Sequence, residues 1–289
     1  MKVCVLGAGG LLGHMLVRKL GVKHQVFGTT REPKRPDSPL AKFIAQESWI
    51  DGVDAAQFDS VVALFASHDF DVVVNCVGLI KQREQQVDNQ TMFQINGDFP
   101  HQVADLANKH GAKLIHISTD CVFSGRRGNY TESDEPDPVD SYGESKLRGE
   151  INDATNLTLR TSHIGRELST KNSFVEWVLS NKGKEVRGFS NAIYSGLTTI
   201  ELTKAIDKTL VSDRNLSGLF NVSADPISKL EIINKLNSLL NLQMNVVPDD
   251  SVKIDRSLNS ERFKKMTGIT IQNWDQMLAA FCEDQNTYV

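Results

Sequence analysis

An apolar run at residues 2–6 leads directly into Gly7-Ala8-Gly9-Gly10-Leu11-Leu12-Gly13, a G-x-x-G-x-x-G spacing that opens a segment of helical periodicity. Glycines at that interval let a chain turn tightly out of a strand and bring its backbone close to a ligand. The free N–H groups and positive end of the following helix then face whatever anion enters, which suits a pyrophosphate. The segment therefore predicts a buried strand, a turn and a helix, with Gly7, Gly10, Leu11, Leu12 and Gly13 as nucleotide contacts. A tight strand-to-helix turn that binds nothing is the alternative.

The same rhythm continues down the chain. Short apolar runs recur at 24–28, 71–76, 112–117 and 157–160, each separated by enough residues for a crossover helix. Helical spacing occupies 13–20, 58–67 and 96–110. The expected class is α/β, a Rossmann-like doubly wound parallel sheet with a smaller C-terminal substrate lobe. We divide the chain into a nucleotide domain, 1–160, and a substrate lobe, 161–289, interleaved because the apolar run at 219–222 can return to the main sheet. In that lobe 173–179, 199–211 and 227–240 look helical, whereas Pro248 and the polar stretch 249–260 predict a loop before one final helix.

Composition removes several functions. With 32 basic and 36 acidic residues among 289, the net charge of -4 gives no electrostatic case for nucleic acid or an anionic membrane. Cys4, Cys76, Cys121 and Cys282 lie far apart and read as reduced thiols, and the seven histidines are too dispersed for a metal cluster. No signal-peptide pattern or membrane-length apolar run is apparent, so the cytoplasm is the expected location.

Two further segments carry chemistry. After the second strand, Gly28-Thr29-Thr30-Arg31 lacks the acid that would hold a ribose 2′-hydroxyl, and Arg31, with Lys34 and Arg35 nearby, can neutralise a 2′-phosphate; these cations could equally be solvated. Farther on, Asp140-Ser141-Tyr142-Gly143-Glu144-Ser145-Lys146 has capping-box spacing at Ser141 and Glu144, and Tyr142 and Lys146 share one helical face. An ammonium beside a phenol favours the phenolate and tunes Tyr142 as a general acid. The strand at 112–117 ends in Ser118-Thr119-Asp120, setting hydroxyls at the carboxyl edge where such sheets bind ligands. An exposed helical pair and an ordinary polar turn are the bland readings of these segments.

Taken together, GAGGLLG at 7–13, NCVG at 75–78, STDCVFSG at 118–125 and YGESKLRGE at 142–150 resemble the extended short-chain dehydrogenase/reductase superfamily, most closely the dTDP-4-dehydrorhamnose reductase family. The resemblance implies NADP(H) and a catalytic set of Thr119, Tyr142 and Lys146. It places Thr30, Arg31, Asp54, Ala55, Val77, Gly78, Asn96, Tyr142, Lys146 and Thr161 around the cofactor, with Asn75 mainly structural and Arg160 to Ser162 passing the nicotinamide. Asn96 could instead be a helix cap and Arg160 a strand-end salt bridge. Phe123, His163, Arg166, Arg187 and Tyr194 become candidates for sugar or diphosphate contact.

Cys121 stands where the family usually carries tyrosine, and 191–199 departs from the usual substrate-side segment. The expected reaction is therefore NADPH-dependent reduction of a keto group on a nucleoside-diphosphate-linked, often 6-deoxy, sugar, supplying a surface polysaccharide. A nucleotide-sugar epimerase or epimerase-reductase is one alternative; a non-catalytic NADP-binding regulatory subunit is another. The expected partner is the nucleotide sugar, and a homodimer is among the assemblies allowed.

Overall fold

The apolar runs become parallel strands because crossover helices cover both of their faces. The computed structural model describes residues 1–80, 87–212 and 216–288. Its first part alternates β1 (Lys2–Leu6), α1 (Gly13–Leu20), β2 (Gln25–Thr29), a two-residue β3 (Trp49–Ile50), α2 (Phe58–Ser67) and β4 (Val72–Asn75). Next come α3 (Asn89–Phe93), α4 (Phe99–Lys109), β5 (Lys113–Thr119), α5 (Ser141–Arg148) and β6 (Leu157–Thr161). The helix expected at 96–110 thus starts earlier, capped by Asp88, and passes through one π turn at Gln94–Asp98 before α4.

The remaining chain supplies β7 (His163–Ile164), α6 (Phe174–Ser180), β8 (Glu185–Tyr194), β9 (Leu197–Thr198), α7 (Thr199–Ser212) and β10 (Gly218–Asn221). Then follow β11 (Ile227–Ser228), α8 (Lys229–Leu239), β12 (Asn245–Asp255), α9 (Glu261–Thr267) and α10 (Trp274–Glu283). The main sheet has the order β10-β6-β5-β4-β1-β2-β3, and its pairs run parallel. Chain direction across the sheet reverses between β1 and β4, which opens a crevice at their carboxyl ends.

Alternation along the strands sorts the core into two layers. Val3 and Val5 of β1 face Leu16 of α1 and Leu202 and Ile206 of α7, whereas Cys4 and Leu6 face Leu64 and Phe65 of α2 and Phe99 and Val103 of α4. Strand β10 and helix α7, both from beyond residue 160, therefore build the main body. Asp207 of α7 ties them to the α1–β2 corner by meeting Lys23 at 2.5 Å and His24 at 2.9 Å.

Residues 249–260 are not simply a loop. Strand β12 runs parallel to β8 at the edge of a three-stranded sheet, β11-β8-β12, with an irregularity between Asp249 and Lys253. Mostly exposed residues and Pro248 are tolerable there because an edge strand needs ladder bonds on only one side. Two helices follow it instead of one, separated by Gly268 in a left-handed cap at φ 65°. Among the described residues no helix is long and apolar enough to cross a membrane.

One buried ion pair joins β5, β6 and the chain leaving α5. Arg160 binds Glu150 through two nitrogens at 2.8 and 2.7 Å, and the Ser118 hydroxyl donates to the same carboxylate at 2.6 Å. Both charged side chains are about 95% buried, so removing one strands the other in a low-dielectric interior. Of its two readings, Arg160 is the salt-bridge partner. Glu150→Ala should lower the unfolding free energy by about 3–5 kcal/mol. Urea denaturation followed by circular dichroism checks this; an unchanged midpoint would show that the pair contributes nothing net.

Candidate active site

The glycine turn sits at the crevice between β1 and β4. Gly7 takes φ +80°, and its N–H lies 3.3 Å from the Thr29 hydroxyl, while Gly10 N–H closes onto Gly7 O at 3.0 Å. A Cβ on Gly13 would collide with Gly7 O, so α1 stands directly on the turn. The cap residue of α1 is Leu12, which has no acceptor side chain, and its first turn contains no acid. Apart from the His14 N–H, which Gly10 O takes at 3.2 Å, the N–H groups that open the helix face an external anion.

A cleft of about 680 Å³ runs from this turn. Gly7, Gly10, Thr30, Arg31, Asp54, Ala55, Val77 and Gly78 line it, as do Arg35, Trp49, Leu79 and Leu168. Leu12 and Gly13 are buried under the turn, so only their backbone can contribute. Trp49 was missed because β3 is too short to show periodicity; its indole donates to the Thr30 hydroxyl at 2.7 Å and forms one wall. Arg31 is 68% exposed and pairs with its neighbour Glu32 at 3.1 Å.

The second group lies at the carboxyl edge of β5. Asp140, rather than Ser141, caps α5 by accepting from Gly143 N–H at 2.8 Å. Gly143 lies so close to the Cys121 carbonyl that any side chain there would clash, which seats α5 on the turn after Thr119. Tyr142 is thereby brought beside the Thr119 side chain. Thr161 lies beside Thr119 in register across β5 and β6, with its own hydroxyl turned to Ser162 O at 3.2 Å.

Burial dominates the titration of both helical groups. It raises the Tyr142 phenol well above its usual range, against a smaller opposing effect of the Thr119 hydroxyl. The expected phenolate-favouring effect of Lys146 does not prevail in this structure. Lys146 is buried and donates to Ile117 O at 2.7 Å; desolvation pushes its ammonium down to about 8, opposed by Glu150 and Cys76. A Cβ on Gly78 would be 3.9 Å from Lys146 Nζ, so the amine borders the end of the cleft.

Asn96 lies in the π turn and supports this geometry without lining the cleft. Its amide binds Leu79 O and the Ser145 hydroxyl, each at 3.1 Å, and its carbonyl accepts from Leu79 N–H at 2.8 Å. It ties the loop beyond β4 to α5. Asn75 is likewise structural, accepting from Val77 N–H at 3.0 Å and approaching His116 at 3.3 Å.

The substrate candidates separate. His163 approaches the charge of Lys146, has a buried Nδ1 with no partner among the described residues, and is pushed down to about 4 by burial. Tyr194 feels Asp120 and Cys121, and its buried hydroxyl lies beside Ser162 without a hydrogen bond of normal geometry. Phe123, in contrast, is fully buried and stacked 4.2 Å from the Tyr130 ring, so it packs the core. Arg187 is 80% exposed on β8 and sits 3.6 Å from Asp249, which makes it a surface residue. Arg166 is engaged by Glu176 at 2.7 Å and Gln285 at 2.6 Å. Arg256 escaped the sequence reading because it follows the unrecognised β12; it reaches 3.8 Å from Cys121 Sγ and donates to Phe123 O at 2.8 Å.

A parallel sheet with a glycine turn at its reversal point, and threonine, tyrosine and lysine at the adjoining edge, defines a nucleotide-binding protein of the extended short-chain dehydrogenase/reductase type. Residues 1–189 match the family described as the RmlD substrate binding domain, and the chain belongs to that family. It is 32% identical over 244 residues to a probable low-salt glycan biosynthesis reductase, Agl14, of Haloferax volcanii, covering 78% of this chain and 75% of that one. It is 25% identical over 236 residues to a dTDP-4-dehydrorhamnose reductase of Aggregatibacter actinomycetemcomitans, covering 78% and 74%. The fold matches that of dTDP-4-dehydrorhamnose reductase from Bacillus anthracis in complex with NADP, with a TM-score of 0.79, 24% identity and coverage of 98% and 99%.

Burial of Lys146 gives a direct expectation. In the ligand-free protein its amine should lose its charge as pH rises through about 8, below the range of solvated lysines near ~10.4. The ¹³Cε resonance, assigned by its loss in Lys146→Arg, reports the titration. A midpoint above about 10 would mean that the amine is solvated.

Proposed function

We propose that this chain uses NADPH to reduce a keto group on a nucleoside-diphosphate-linked sugar, in the supply of a polysaccharide precursor. The observation that carries this reading is the Tyr142 hydroxyl beside Thr119 at the carboxyl edge of β5, with Lys146 Nζ beside the end of the cleft. The reductases to which the chain is similar support the same reaction class.

The residues present fit the cofactor. The uncapped start of α1 offers N–H donors to a pyrophosphate, the glycines leave room for its approach, and Arg31 and Arg35 line the cleft beyond Thr30. No acid occupies the position of Thr30 or Arg31, although Glu32 must yield Arg31 to a 2′-phosphate. NADPH supplies the hydride when bound.

Tyr142 holds its proton at neutral pH, as a phenol does, and delivers that proton to the carbonyl oxygen. Thr119 orients the phenol and can share the same oxygen. Lys146 holds the cofactor ribose and provides positive charge near the developing alkoxide. His163 and Tyr194, each with an unpaired polar atom, meet the sugar. The chain from residue 161 onward, excluding the segments built into the main sheet, forms the substrate lobe.

Keto-sugar nucleotides generated by a dehydratase, mixed with NADPH and followed by its absorbance, test the function. No NADPH consumption across the panel would refute it, and unchanged NADPH alongside an epimerised product would identify an epimerase. Tyr142→Phe should keep NADPH binding and lose about 10²–10⁴-fold in single-turnover hydride transfer. Parental turnover in that variant would remove Tyr142 as the acid.

Cofactor choice has its own test. Arg31→Ala should weaken NADPH by about tenfold, the scale of one charge-assisted contact discounted for exposure, and leave NADH nearly unaffected. Fluorescence titration measures both; equal affinity of the parent protein for NADPH and NADH would overturn the 2′-phosphate assignment.

A further inference from the structure

The chain beyond α10 turns back onto α1, far in sequence from the glycine turn. Asp284–Tyr288 forms a 3₁₀ turn in which Asp284 pairs with Arg18 and, at 3.3 Å, with Lys19. The Tyr288 ring lies near the guanidinium groups of Arg18 and Arg166, 5.7 and 5.3 Å from its centroid. Its hydroxyl is 2.7 Å from His14 Nε2, and His14 Nδ1 is 2.8 Å from Gly10 O. A continuous path thus joins Tyr288 to the backbone of the turn.

Hydrogen-bond polarity fixes what the path does. His14 is fully buried, and desolvation lowers its pKa, which keeps the imidazole neutral at neutral pH. A neutral imidazole has one N–H, and Gly10 O can only accept, so the proton belongs on Nδ1. Nε2 then accepts, and the Tyr288 hydroxyl is its donor. The backbone N–H of His14 also reaches Gly10 O, at 3.2 Å. Two donors from one residue thereby hold this carbonyl toward the body of α1. In a trans peptide the N–H points opposite to the C=O, so the same restraint turns Leu11 N–H outward from the helix start.

We propose that His14 is a positioning residue for the cofactor pyrophosphate, and that Tyr288 sets cofactor affinity from outside the cleft by anchoring the His14 ring in the orientation whose Nδ1–H holds the Gly10–Leu11 peptide. This rests on the NADPH reading above. Without the hydroxyl at 288, the buried Nε2 loses its donor and the ring loses its anchor; rotation of the ring then takes Nδ1–H away from Gly10 O and releases the peptide.

Tyr288→Phe should raise the Kd for NADPH, read by fluorescence titration, about 3- to 10-fold, the loss of one hydrogen bond's worth of order. KM for NADPH should rise in step, with kcat at saturating cofactor reduced by less than about twofold. His14→Asn keeps an N–H donor where Nδ1 stood and has no Nε2 for the hydroxyl at 288 to anchor, so adding Tyr288→Phe to it should produce no further change. An equal Kd increase in both backgrounds, or none in the parent background, overturns the proposal.

Amide hydrogen exchange of ligand-free Tyr288→Phe decides the matter if His14→Asn does not fold. Faster exchange at residues 9–13 supports the proposal, and unchanged exchange there refutes it. A parent protein that binds no NADPH would defeat the cofactor reading alone, because the exchange measurement needs no cofactor.

Discussion

Helix α1 stands on the carbonyl of Gly7 with no space for a carbon atom between Gly13 and that oxygen. This contact sets the distance between the first strand and its crossover helix, and hence the position of every N–H group at the start of α1. From it follow the tight turn, the glycine-only wall at Gly7, Gly9 and Gly10, and the line of the cleft toward Thr30 and Gly78. The second half of the chain then secures the helix from outside: α7 packs against it, Asp207 binds its C-terminal corner, and the Asp284–Tyr288 turn binds Arg18 and His14.

The chemistry depends on a different balance, between burial and charge. The same removal from water raises the Tyr142 phenol and lowers the Lys146 ammonium, so each is pushed toward its neutral form. For the phenol this makes a weaker acid than a solvated one, so proton delivery leans on the positive charge that Lys146 brings near the developing alkoxide. For the lysine it makes the charge conditional on pH and on what occupies the cleft. The Ile117 carbonyl and the distant Glu150 carboxylate support the ammonium without neutralising it by a direct ion pair, and Glu150 is already committed to Arg160.

The parts legible in the sequence are those whose information is local. Residues 13–20 and 58–67 are helices with those bounds because apolar spacing and burial coincide there, and the 219–222 run yields a strand in the main sheet. Strand β12 was hidden because an exposed edge strand has no apolar alternation to display, and Arg256 was hidden with it. Phe123 and Arg187 were read for the chemistry of their side chains, which says nothing of direction: one packs against Tyr130 and the other faces solvent. The contact between Tyr288 and His14 spans nearly the whole chain, and no local pattern in either segment announces it.

The position of β10 imposes an order on synthesis. As the chain emerges from the ribosome, β1 to β6 can assemble, but the open flank of β6 has no partner until residues 218–221 exist. Until then its backbone presents an unpaired edge beside Leu157 and Leu159, and α7, which also covers that layer, has only just been made. A nascent chain halted near residue 160 therefore holds a strand-pairing template rather than a finished domain, and it is the species most exposed to association with other chains. Interleaving gives the mature protein one cooperative body and leaves its synthesis intermediate dependent on protection.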